Sequence, residues 1–108
     1  MSTDTVAYVE GSEFDTLLGS EKVVVVDFTA TWCGPCRLVA PLMEQLAEEY
    51  QGRLQVVKVD VDNNKPIFKR FGLRSIPAVL IFKDGELAET IVGVSPYEEF
   101  TAAVNKLL

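Results

Sequence analysis

The stretch from Lys22 to Cys36 reads KVVVVDFTATWCGPC, and it decides the fold. Four consecutive valines favour an extended chain, because β-branched side chains are stiff at χ1 and pack well on a pleated surface. A run without polar alternation predicts a central strand from Lys22 to Ala30, covered on both faces. Asp27 interrupts that run, and a period of two puts it on the side of Val23 and Val25. Downstream, Leu38, Val39, Leu42, Met43, Leu46 and Tyr50 recur at spacings of three and four. That spacing predicts a helix from about Gly34 to Tyr50. Pro41 lies inside it and should kink it, having no N–H and crowding the preceding turn. Cys33-Gly34-Pro35-Cys36 thus falls where a buried strand hands over to a helix.

Outward from this junction, strand-like and helix-like segments alternate. Val6 to Val9 is a short strand. Ser12, as N-cap, opens a helix whose apolar face is Phe14, Leu17 and Leu18 and which Gly19 ends. Leu54 to Val61 is a strand, and Lys65 to Phe71 is a short helix stopped by Gly72. Ala78 to Phe82 and Leu87 to Val92 flank Asp84-Gly85, a hairpin signal. Gly93 breaks the second of these strands. Ser95-Pro96 then opens a last helix, with Ser95 as N-cap, Pro96 at its first position and a buried stripe of Phe100, Val104, Leu107 and Leu108. The order β-α-β-α-β-α-β-β-α predicts an α/β fold with a five-stranded mixed sheet: parallel where helices cross over, antiparallel at the hairpin. No linker or repeat divides the 108 residues, so one domain over 1–108 is expected.

Composition narrows the function. Net charge is −6 and 48% of residues are hydrophobic. An acidic chain of this kind repels phosphate backbones and anionic membrane surfaces, so neither nucleic acid nor a membrane is expected as partner. No apolar run approaches the ~20 residues of a membrane span. The N-terminus carries neither a basic stretch nor a signal core. A cytoplasmic protein is expected, or one of an organelle matrix if a targeting segment has been removed.

There are two cysteines and no histidine. A bridge between Cys33 and Cys36 closes a tiny loop and adds little stability. Zinc needs about four ligands, usually thiolates or imidazoles, and no third is present; no metal or cofactor is expected. A redox pair is the better reading. Cys33 sits at the leading end of a helix, where free N–H groups and the helix dipole favour the thiolate, the species that attacks a disulfide. Pro35 suits the first helical turn, and Cys36, three residues on, shares a face with Cys33. Two residues nearby have open readings. Buried, Asp27 would have a raised pKa and could take a proton from Cys36 through water; at a strand end it would reach solvent. Lys58, among Val56, Val57 and Val59, either neutralises Asp27 across the sheet or is an exposed lysine, and the pattern favours the second. Arg37 adds positive potential, grips a partner or is simply solvated. Pro77 belongs at the first residue of its strand, and general frequencies predict a trans Ile76–Pro77 bond. Gly93 permits a turn or keeps a surface flat.

Val26-Asp27-Phe28, Ala30, WCGPC, Pro41, Lys58-Val59-Asp60, Ser75-Ile76-Pro77, Gly85 and Val92-Gly93 occur in an order that resembles the thioredoxin family over essentially the whole chain. The resemblance implies the thioredoxin fold, with four helices flanking the sheet. It implies Cys33 as nucleophile, Cys36 as resolving thiol, Asp27 as buried proton acceptor with Lys58 beside it, and Gly34-Pro35 tuning a reductant. It implies a cis Pro77, against the general frequency, and an Ile76 backbone that pairs with an extended substrate. Trp32, Gly34, Ile76, Pro77, Val92 and Gly93 would form a flat docking face. The implied partners are disulfide-containing target proteins and a separate thioredoxin reductase, with the protein itself a monomer. Many members carry tryptophan where this chain has Thr29, a smaller and more polar support behind the cysteine loop. Rival readings are a thiol oxidase or isomerase on the same fold, a thiol-independent scaffold using the flat face, and a metal site.

Overall fold

The computed structural model describes residues 6–108. The valine run forms β2 (Val23–Thr29), with Val23 to Phe28 all buried. Upstream lie β1 (Ala7–Tyr8) and α1 (Gly11–Ser20); downstream follow α2 (Cys36–Glu49), β3 (Gln55–Asp60), α3 (Lys65–Arg70), β4 (Ala78–Lys83), β5 (Glu86–Val92) and α4 (Tyr97–Asn105). The strands form one sheet in the order β1-β3-β2-β4-β5. β1 and β2 both run parallel to β3, while β4 is antiparallel to β2 and β5. This is the expected mixed sheet flanked by four helices. The β4–β5 turn has Asp84 at φ 51° and Gly85 at φ 84°, the positive pair that a tight hairpin with the twist of its strands requires.

Alternation along the strands divides the core into two layers. On one face Val24, Val26 and Phe28 pack with Phe14 and Leu18 of α1, Ile67 of α3, and Phe82. Phe14 meets Phe71 and Phe82 edge-on, at centroid distances of 5.8 and 5.9 Å. On the other face Val23 and Val25 pack with Val39, Met43 and Leu46 of α2 and with Phe100, Ala103 and Val104 of α4. Each fully buried side chain of this size contributes roughly 1.5–3 kcal/mol of transfer free energy.

Several local expectations are corrected. Ser12 is not the N-cap of α1. Glu10 takes that place in a capping box: the Glu10 side chain accepts from the Glu13 N–H, and the Glu13 side chain accepts from the Glu10 N–H. Gly19 does not end α1, which continues through Ser20. α2 begins at Cys36 rather than Gly34, and Pro96 replaces Ser95 as the cap of α4. Leu38 is exposed, although it fits the three–four spacing. The buried stripe of α2 is Cys36, Val39, Met43 and Leu46, and at 100° per residue Leu38 lies about 120° round from its centre. Leu108, beyond the last turn of α4, is exposed as well. The Ile76–Pro77 bond is cis, correcting the general expectation and agreeing with the resemblance.

Candidate active site

Register alone brings four chain segments to one end of the sheet. Thr29, last in β2, pairs with Asp60, last in β3. Phe28 pairs with Ala78, first in β4, and Ala78 pairs with Val92, last in β5. The loops that follow β2 and β3, precede β4 and follow β5 therefore converge. They carry Trp32 to Cys36, Val61 to Asn64, Arg74 to Pro77, and Gly93. A hydrogen bond from the Gly93 N–H to the Pro77 carbonyl, at 2.8 Å, ties two of them together. Gly93 has φ +90°, a conformation a side chain would strain.

Cys33 and Cys36 are joined as a disulfide with Cα atoms 5.4 Å apart. Each residue is only 3% exposed. The Cys36 N–H, the first of α2, donates to Cys33 Sγ at 3.2 Å. That donor has no partner within the helix, so it is free to serve the sulfur. Both cysteines pack in the layer of α1 and α3, whereas Val39, one turn beyond Cys36, packs in the layer of α2 and α4. The first turn of α2 thus bridges the two layers at the sheet end.

Asp27 is buried, at 2% exposure, which decides between the two readings of that residue. Its parity places it in the layer of Val39. Its Oδ1 has no hydrogen-bond partner among the described residues. Burial pushes its carboxyl up to about 7 from the usual 3.8, and the positive charge of Lys58 pulls partly back. Lys58 is the β3 residue in register with Asp27 on the parallel neighbour, so both project to one face. The favoured reading of Lys58 as an exposed lysine is corrected: it is half-buried, with Nζ 4.5 Å from the centre of the Tyr8 ring. An aromatic face there holds the cation in place.

The expected docking residues differ in exposure. Trp32 is 66% exposed and Val92 53%, which is unusual for side chains so large and apolar. Gly34 is exposed, Ile76 and Gly93 are half-buried, and Pro77 is buried. Trp32 is nevertheless held, for its indole N–H donates to Asp62 Oδ2 at 2.8 Å. Arg37 turns back on its own loop, donating to the Thr31 carbonyl at 3.3 Å. Thr29, half-buried, accepts the Val61 N–H at its carbonyl, 2.9 Å away.

Sequence reasoning missed Asp62 and the residues beside it. Val61, Phe68, Arg74 and Ser75 join Trp32 and Ile76 around a cleft of about 320 Å³ next to the disulfide. A signal existed: parallel neighbours end together, so residues just after β3 must land beside those just after β2.

The geometry offers a reversible disulfide, a sulfur served by a helix-start N–H, a buried carboxyl poised near neutrality and an exposed apolar rim. The profile of the Thioredoxin family matches residues 5–106. A thioredoxin of Listeria monocytogenes is 53% identical over 87 residues, covering 81% of this chain and 84% of the relative. Thioredoxin 1 of a Nostoc species is 42% identical over 103 residues, covering 94% and 96%. The solved structure of a mutant thioredoxin from Halobacterium salinarum superposes with a TM-score of 0.85 at 33% identity, over 94% of this chain and 88% of that one.

Proposed function

The chain belongs to the thioredoxin family and is a dithiol–disulfide oxidoreductase, and from that premise we propose that it reduces target proteins by a two-step exchange in which Cys33 attacks and Cys36 resolves. The observation that carries the assignment of roles is the Cys36 N–H directed at Cys33 Sγ. That donor favours negative charge on Cys33 over Cys36.

In the first step the Cys33 thiolate attacks one sulfur of a target disulfide. The target S–S bond breaks, a mixed disulfide forms, and the departing target thiolate takes a proton from solvent. In the second step Cys36 gives its proton to the Asp27 carboxylate through a water and attacks Cys33 Sγ. The mixed disulfide breaks, the second target sulfur leaves as a thiolate that takes a proton from solvent, the Cys33–Cys36 disulfide forms, and two electrons have passed to the target. A carboxyl at about 7 suits this transfer, since such a base is available at neutral pH and still releases its proton afterwards. Lys58 keeps the carboxyl from rising further.

Trp32, Gly34, Ile76, Pro77, Val92 and Gly93 form the docking face, and the Ile76 backbone takes an extended target segment as an added strand. Gly34 and Pro35 let the loop between the sulfurs present an uncharged, flat surface. The oxidised protein is returned to the dithiol by a separate reductase, because the chain carries no dinucleotide fingerprint. It acts as a monomer, in the cytoplasm or an organelle matrix; among the described residues no helix is long and apolar enough to cross a membrane.

The test is a disulfide-reduction assay driven by a dithiol. Cys36→Ser should trap a target as a stable mixed disulfide at Cys33, visible by mass spectrometry after proteolysis. Cys33→Ser should abolish turnover and trap nothing. A Cys36→Ser protein that cycles like the wild type would refute the assignment of roles.

A further inference from the structure

The charge of this acidic molecule is unevenly distributed. Residues 63–83 contain Lys65, Lys69, Arg70, Arg74 and Lys83 and not one acidic residue. Arg70 is held by Asp15 at 2.9 Å. Arg74 is different: it is exposed, forms no ion pair with a described residue, and lines the cleft beside Trp32. Asp62, the acid that precedes this segment, accepts the Trp32 indole N–H and forms no ion pair with Arg74. The rest of the lining is mainly apolar: Val61, Phe68, Ile76 and the Trp32 ring, with Ser75. The cleft is thus an apolar slot with an unneutralised guanidinium on its wall, on a protein whose net charge is −6.

We propose that this cleft selects target segments in which an apolar residue and a carboxylate flank the reactive cysteine, the apolar side chain filling the slot and the carboxylate meeting Arg74. The inference rests on the reading of Cys33 and Ile76 given above, which brings an extended segment past the slot. A guanidinium presents its donors as a planar fork that fits a carboxylate. Elsewhere the acidic surface repels an acidic segment, so Arg74 sets both register and choice.

Trp32 is the only tryptophan and lines the cleft, so its emission reports occupancy. The experiment titrates the oxidised protein with three peptides that carry serine in place of the reactive cysteine. They share one leucine and differ only in a glutamate, glutamine or lysine next to it. Such peptides cannot react, so binding is measured apart from exchange; failure of the redox reading would appear only in the reduction assay. The glutamate peptide should bind about fivefold more tightly than the lysine peptide at low salt, the scale of an exposed ion pair. The preference should fade as salt shortens the Debye length to about 3 Å near 1 M. Arg74→Glu should invert the order of the peptides and Arg74→Lys should keep it. Equal binding of all three, no emission change with any, or a preference that survives Arg74→Glu would each overturn the proposal.

Discussion

Towards α1 and α3, β2 presents Val24, Val26 and Phe28; towards α2 and α4 it presents Val23, Val25 and Asp27. The first face is apolar throughout and closes with an aromatic cluster in which Phe14, Phe71 and Phe82 meet edge-on. The second exchanges one apolar side chain for a carboxyl that has 2% exposure and an oxygen without a hydrogen-bond partner among the described residues. A strand that needed only to fold would not carry that residue, because desolvating a carboxylate opposes folding. One face is therefore organised for stability, and the other gives up stability to hold a titrating group beneath the start of α2. The two faces should respond to mutation and to pH in opposite ways.

The largest effect is expected on the apolar face. Phe14 is fully buried, and Phe14→Ala should lower the unfolding free energy by about 3–5 kcal/mol, from lost transfer energy and the cavity left behind. Its ring meets Phe71, Phe82 and the permanently charged Arg70 guanidinium, so the loss should be the same at every pH between about 4 and 9. Denaturant titrations across that range check it. A loss that varied with pH would remove the distinction between the faces.

Asp27→Asn should do the reverse on the other face. Folded, Asp27 titrates at about 7, against the usual 3.8 for an exposed carboxyl. Below 3.8 both states are protonated and the site costs nothing extra. As pH rises from there to about 7, the unfolded chain ionises and the folded one resists, so stability falls; above about 7 the penalty is constant. The gap corresponds to roughly 4 kcal/mol. Asp27→Asn should match the wild type near pH 4 and exceed it by up to that amount near pH 9. It should also slow release of the mixed disulfide roughly 10–10²-fold at neutral pH, where Cys36 loses its proton acceptor. A variant that is more stable yet slower would show what the second face gives up and what it gains. If stability and release rate were both unchanged, the carboxyl would be a passenger.

How much of this could be read in the residues alone follows from the kind of signal each relied on. The order of elements was legible because the valine run, the three–four spacing after Cys36 and Asp84-Gly85 are local patterns that long-range packing reinforced. The cysteine pair was legible because its spacing and its place at a strand–helix junction coincide. Helix starts were less legible: Glu10 with Glu13 caps α1, where Ser12 had the more usual cap chemistry, and the difference lies in which backbone turns first. Leu38 fitted the spacing and is exposed, since periodicity fixes a helix face only to within a third of a turn. Asp27 and Lys58 had two readings each, because burial is a property of neighbouring strands and not of the residue. Asp62 and Arg74 were invisible as site residues until β3 and β4 were placed either side of β2.

The smallest effect is expected at a pair of charges in direct contact. Asp15 and Arg70, on the side of the apolar face, approach to 2.9 Å, and the Arg70 guanidinium, chiefly by hydrogen bonding, holds the Asp15 carboxyl below the usual range. Asp27 and Lys58 share strand register and a face, and the Lys58 charge acts on the carboxyl without a direct ion pair. Distance alone would rank the first pair as the more important. Exposure reverses the ranking: both side chains of the Asp15–Arg70 pair are largely in solvent, where water and salt screen the charges and fixing two long side chains costs entropy. Because the folded carboxyl is depressed, its contribution is present above the unfolded value of 3.8 and disappears only as pH falls below that. Asp15→Asn should therefore leave the melting temperature at neutral pH within error of the wild type, with any change confined to the acid limb and lost in high salt. Thermal melts at low and high salt, from about pH 3 to pH 9, decide the matter. A shift at neutral pH as large as that of Asp27→Asn would mean that contact, rather than burial, governs which charges this fold registers.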